Sequence, residues 1–146
     1  MTNATGPARF NHVAMSVPAD LLDERGRADI TRFYGEVFGW EEHPTMTLDR
    51  QRLVMGVHQF DQFVFLIAEP EPMTTARLDH FGLAADSMDQ FLATLDLART
   101  AAENDDRAEF IEHEIEDHGV LQLHNFYVKF LLPLWVEVQF FELPSS

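Results

Sequence analysis

The chain has 146 residues, 46% hydrophobic and 12% aromatic, with 10 Lys and Arg against 25 Asp and Glu for a formal net charge of −15. That length supports one well-filled core, and the charge repels nucleic-acid phosphates and anionic bilayer surfaces alike. The absence of cysteine excludes disulfides, thiolate metal sites and cysteine nucleophiles.

No apolar run approaches the roughly 18 residues that span a bilayer, and "MTNATGPARF" lacks the basic start and apolar stretch of a secretion signal, so the expected location is cytoplasmic. GxSxG, P-loop and GxGxxG patterns are missing as well. Chemistry has to come from histidine, carboxylate, tyrosine or a bound metal.

In chain order, "FNHVAMSV" (10–17) reads as a strand with a histidine in its apolar run. "PADLLDERGR" lengthens the connection that follows, a place for a substrate-facing loop or a short extra turn. "DITRFYGEVFGW" (29–40) sets Ile30, Phe33, Tyr34, Val37 and Phe38 on one helical stripe and offers Gly39 as a stop. Extended segments follow near 42–48, 51–58 and 62–68. "AEPEPMTTAR" (68–77) reads as a linker.

"LDHFGLAA" (78–85) is the next strand. "DSMDQFLATLDLA" then forms a helix capped by Ser87 or Asp86, with Met88, Phe91, Leu92, Leu95 and Leu97 on its apolar face, fading into the polar "AAENDDR". Extended segments near 109–116, 121–131 and 134–142 complete the chain.

"LDHFGLAA" matches "FNHVAMSV" position by position: apolar, Asn or Asp, His, apolar, small, apolar, small, then apolar or small. The two histidines, His12 and His80, lie nearly half the chain apart, and each half runs strand, helix, three strands. The expectation is a single α+β domain over 1–146, with one βαβββ unit at about 8–69, a linker at about 70–77 and a second unit at about 78–143.

A duplicated βαβββ unit with histidine on each first strand resembles the vicinal oxygen chelate superfamily, which includes glyoxalase I, extradiol dioxygenases and the bleomycin- and fosfomycin-resistance proteins. The resemblance implies a cupped mixed β-sheet with its helices outside. It also implies one divalent metal ion on the concave face, held by His12, His80 and Glu137, the last from "LWVEVQFFE". Fe²⁺, Mn²⁺, Zn²⁺, Ni²⁺ and Co²⁺ all accept such ligands. Small members commonly form homodimers, in some of which the metal site is shared across the interface.

Side-chain alternation bears on this independently of any family. His12 shares a face with Phe10, Ala14 and Ser16, and His80 shares one with Leu78, Gly82 and Ala84, so small residues leave room beside each imidazole. Glu137 lies in an otherwise apolar strand, in line with Trp135, Gln139 and Phe141. A carboxylate there needs a cation, because burying an unpaired charge costs several kcal/mol. The cation is either a metal or Lys129, unless Glu137 faces solvent on an edge strand.

The chain also departs from the pattern. Glyoxalases add a fourth ligand on the fourth strand, where the best match here is Phe65. Gln62 would serve only with the strand shifted by three residues. The "DPDG" turn that usually precedes the last strand is replaced by "LLPLWVE". A three-ligand site is what the resemblance links to extradiol-type dioxygenases and metal-dependent fosfomycin transferases.

Met55, Phe63, Phe65 and Trp135 are expected to line the pocket, together with those of Phe81, Phe126 and Tyr127 that face inward, favouring a flat, apolar substrate. His124 and Tyr127 are the acid/base candidates, on opposite faces by parity, and His124 is the choice for a proton-transfer role. His43, His58, His113 and His118 read as solvated.

These features favour a metal-dependent enzyme whose small substrate chelates the ion through two oxygens, dioxygenase-like ahead of lyase or isomerase. The competing reading is a metal-free protein that sequesters a hydrophobic or antibiotic-like compound, as bleomycin-resistance proteins do. A third is a scaffold or regulatory partner with a vestigial triad.

Overall fold

The computed structural model describes residues 6–144. Strand β1 (His12–Val17) leads through a 3₁₀ turn (Ala19–Leu22) into helix α1 (Glu24–Phe38), followed by β2 (Glu41–Glu42), β3 (Arg52–Gly56) and β4 (Phe63–Ala68). The second half repeats the order with β5 (His80–Ala84), helix α2 (Met88–Asn104), β6 (Ala108–Asp117), β7 (Gln122–Phe130) and β8 (Trp135–Glu142). The short extra turn thus occupies the long first connection. β2 shrinks to two residues, because turns joining His43, Met46, Leu48 and Gln51 take up the backbone hydrogen bonds that a longer strand needs.

Helix α1 is closed at both ends by its own sequence. Asp23 accepts from the Gly26 amide at 2.7 Å, and Gly39, at φ 74°, returns its amide to Gly35 O. Gly26 is required by close approach, since a Cβ there would lie 1.9 Å from Leu21 O. Ile30, Phe33, Tyr34 and Val37 form the buried stripe, as their spacing predicts.

Helix α2 is capped by Ser87, which accepts from Gln90 N. Its buried face is Phe91, Leu95, Ala98 and Ala101, while Leu92 and Leu97 are 43% and 50% exposed. The stripe continues on alanines that the polar-looking tail conceals, so the helix runs on to Asn104.

The strands form two four-stranded sheets, ordered β1-β4-β3-β2 and β5-β8-β7-β6. β1 runs parallel to β4 and β5 parallel to β8, the remaining pairs being antiparallel. The register repeats as well: His12 pairs with Phe63 and Ala14 with Phe65, as His80 pairs with Trp135 and Gly82 with Glu137. Duplication of the unit is therefore visible residue by residue, and β1 and β5 are the equivalent edges of their sheets.

One cluster of buried side chains draws on both halves and lies on the helix-facing sides of the sheets. Phe33 of α1 stacks on Phe130 of β7 at 4.2 Å, and Trp40 meets Phe81 at 6.3 Å. The Tyr34 hydroxyl donates to Phe130 O and accepts from Phe130 N, both at 3.0 Å. Burial raises the Tyr34 hydroxyl far above the ordinary tyrosine range. Helix packing covers one face of each sheet and leaves the histidine-bearing face open.

Candidate metal centre

The open face of the second sheet is a grid set by register. Glu109, Lys129, Trp135 and His80 lie across one row, with Ile111, Tyr127, Glu137 and Gly82 across the next. Alternation along a strand then brings His80 diagonally onto Glu137, with Nε2 3.4 Å from Oε1. Gly82, opposite Glu137, leaves Oε1 uncovered on that side, where a Cβ would come into van der Waals contact with it at 3.9 Å.

Hydrogen bonds settle what these atoms offer. His80 Nδ1 lies 2.8 Å from Leu78 O; a carbonyl only accepts, so Nδ1 carries the proton. Nε2, the other ring nitrogen, faces the carboxylate oxygen and offers it a lone pair in the neutral tautomer or an N–H in the imidazolium. Glu137 is only 5% exposed and is held by two donors, Gln139 Nε2 at 3.0 Å and the Tyr127 hydroxyl. Burial, followed by the bond to Glu137, pushes the Tyr127 hydroxyl up to about 12, so it stays a donor. Lys129 does not neutralise Glu137; it pairs with Glu109 at 3.5 Å. Two lone-pair donors facing each other at this spacing suit a cation between them, either a metal ion or a proton on the imidazole.

His12 is prepared in the same way on the first sheet. Its ring stacks on Phe63 at 4.8 Å, and Nδ1 donates to Asn11 Oδ1 at 2.9 Å. The Asn11 amide is itself oriented by donating from Nδ2 to Asp61 O at 3.1 Å. Nε2 of His12 takes no hydrogen-bond partner among the described residues. Among the described residues, however, no three His, Asp or Glu side chains gather within one chain as a metal-holding group. The structure brings His80 and Glu137 together and leaves His12 apart from them.

The other expected positions divide by face. Phe63, Phe65, Trp135 and Tyr127 lie on the histidine-bearing faces, and Trp135 is anchored by its indole N–H to Arg77 O at 2.8 Å. Met55 does not line the pocket: it is fully buried in the helix-side core, paired with Val64, and Phe81 and Phe126 face the same way.

His124 also departs from its expected role. It is 4% exposed, packed against Phe91 and Phe140 on the helix side, with Nε2 3.0 Å from Glu142 Oε1. Parity put only one of His124 and Tyr127 inward, and the partner of Glu137 is Tyr127.

His113 is not solvated either. It bonds His124 at 2.9 Å between Nε2 and Nδ1. The Nε2 of His43 is shut off from solvent over Gly56, whereas His58 and His118 are exposed, as expected. Gln62 caps its own turn by accepting from Gln59 N at 3.0 Å.

Sequence reasoning assigned no role to Gln139 or Asn11. Gln139 shares parity with Glu137, the signal that would have found it, whereas the role of Asn11 depends on a residue far along the chain.

A cleft of about 750 Å³ opens between the halves, bordered by His12 and Phe63 on one side and by Phe81, Gly82 and Ala84 on the other. No helix among the described residues is long and apolar enough to cross a membrane.

No protein-family model and no curated protein matches the chain. Solved structures do. A glyoxalase/bleomycin resistance protein/dioxygenase from Alicyclobacillus acidocaldarius superposes over 93% of both chains with a TM-score of 0.62 and 14% identity. A genomically encoded fosfomycin resistance protein from Listeria monocytogenes covers 97% of both chains, with a TM-score of 0.59 and 11% identity. A lactoylglutathione lyase from Agrobacterium tumefaciens matches over 92% of this chain and 95% of its own, with a TM-score of 0.58 and 18% identity.

The chain therefore has the fold of these glyoxalase/bleomycin resistance/dioxygenase structures. Identities this low carry the fold and leave the reaction open.

Proposed function

We propose that the protein is a divalent-metal enzyme acting on a small substrate that chelates the ion through two oxygens, with the ligand set completed between two copies of the chain. His12 of one protomer would join the partner's His80 and the partner's Glu137. The observation that carries this reading is His80 Nε2 standing 3.4 Å from an oxygen of the buried Glu137 carboxylate, with Lys129 turned towards Glu109 instead. The position of β1 and β5 at sheet edges supports a shared site, because apposing one copy's β1 edge with the other's β5 edge sets the two half-sites side by side.

A bound divalent ion would supply a Lewis acid for a chelated enol or phenol oxygen. The chain's own part is to hold the ligands in register, to keep Glu137 aimed through Tyr127 and Gln139, and to offer the Tyr127 proton next to the carboxylate. Phe65 and Trp135 supply flat apolar walls. With three protein ligands, oxygenase chemistry is the first reaction to assay.

Elemental analysis of untagged protein purified without chelator tests the reading. About one ion per chain, lost in His80→Ala and Glu137→Ala, supports it. Metal-free protein that takes up none of Fe²⁺, Mn²⁺, Zn²⁺, Ni²⁺ or Co²⁺ overturns it.

One observation favours a second reading. A proton on His80 satisfies Glu137 equally well, and the cleft is large enough for a drug-sized molecule, so a metal-free sequestering protein predicts tight compound binding unchanged by chelators.

A further inference from the structure

Lys129 is the only lysine in the sequence, in a chain of net charge −15. It does not sit on the outer surface with the arginines that pair off in exposed ion pairs. It stands on the open face of the second sheet, in the row of His80, with Nζ 5.4 Å from the Trp135 ring and a side chain only 25% exposed. Along β7 it is two residues from Tyr127, about 7 Å on the same face, and Tyr127 holds Glu137.

The bland account is a cross-strand pair with Glu109, its register partner. That pair is loose, at 3.5 Å, with a 58% exposed glutamate on the edge strand β6. Such a pair contributes at most about 1 kcal/mol and yields readily to a better anion. The aromatic face beneath the ammonium holds it in place without neutralising it.

We propose that Lys129 is the specificity-determining residue of the site: it selects substrates that carry an anionic group, such as a carboxylate, one ring's length from the two chelating oxygens. The inference rests on the metal-site reading above. Its logic is electrostatic: a strongly acidic protein repels anionic ligands at long range, so a partly buried ammonium on the face that carries His80 and Glu137 sets the local preference.

Two probes differing only in charge test it on metal-loaded protein, catechol and 3,4-dihydroxybenzoate. The carboxylate-bearing probe should bind at least tenfold more tightly to the native chain. That preference should vanish in Lys129→Met, survive in Lys129→Arg and leave catechol binding unchanged throughout. Equal binding of both probes to the native chain, or a preference that persists in Lys129→Met, overturns the proposal.

A second measurement needs no metal. As the sole lysine, Lys129 can be followed by amine labelling and peptide mass analysis. Benzoate should slow its modification in chelator-treated protein, and benzyl alcohol should not. If the protein takes up no metal, the ligand-set reading falls and this protection alone decides for or against Lys129.

Discussion

Phe65 occupies in the first sheet the register position that Glu137 occupies in the second, each opposite the residue two beyond a first-strand histidine. The duplicated frame is therefore symmetric while its candidate ligands are not. Phe65→Glu would restore the symmetry on a half-buried, open-face position. On the proposed metal centre, the expected outcome is a folded protein that binds a divalent ion at least tenfold more tightly than the native chain, about 1.4 kcal/mol, as measured by competition with a chromophoric chelator.

The proposed sharing of the site between two copies makes a prediction that a single-chain site does not. His12→Ala and Glu137→Ala should each abolish metal binding alone. Mixed and reassembled, they should regain half of the native metal content in the heterodimer, because one of its two sites draws only on native residues. Metal-free heterodimers, with dimer formation checked by native mass spectrometry, would place all three ligands within one chain.

Tyr34 ties the halves together through both backbone groups of Phe130. Tyr34→Phe keeps the ring stacking yet leaves a buried amide and carbonyl without their partner. We expect a loss of about 1–3 kcal/mol, read as a lower urea midpoint with unchanged slope. Metal content should hold in the remaining folded protein, since Tyr34 is on the helix side.

A pH response should arise from the other histidine cluster. Glu142 accepts from His124 Nε2, leaving His124 Nδ1 to accept from His113 Nε2. Burial, then the neighbouring His124, lowers the His113 pKa below its ordinary 6.5, against a smaller opposing pull from Glu112. The unfolded chain thus binds the proton more readily than the folded one. Stability should be full above pH 6.5 and decline as pH falls below it. Glu112, lowered chiefly by its bond to Arg99, loses its contribution only below its ordinary 4.5, so the two windows separate. Thermal melts from pH 7 down to pH 5 should fall less steeply in His113→Gln than in the native chain.

Much of the frame was legible beforehand because its signals are local. Alternation put His12, His80 and Glu137 on strands, helical spacing found Ile30, Phe33, Tyr34 and Val37, and the Asn/Asp-His repeat announced the duplicated topology. Where local signals were weak, the reading slipped. Alanines carried α2 beyond its polar-looking tail, and turn hydrogen bonds absorbed most of the expected second strand.

Sequence alone determined the order of elements and the repeat of the strand–helix–strand unit, since both follow from backbone periodicity and residue type. Only the tertiary structure decided that Tyr127 rather than His124 meets Glu137, that Lys129 pairs with Glu109 rather than Glu137, and that Met55 belongs to the core. Those choices depend on which sheet face the helices cover and on contacts between residues far apart in the chain, and no periodicity within a strand encodes either.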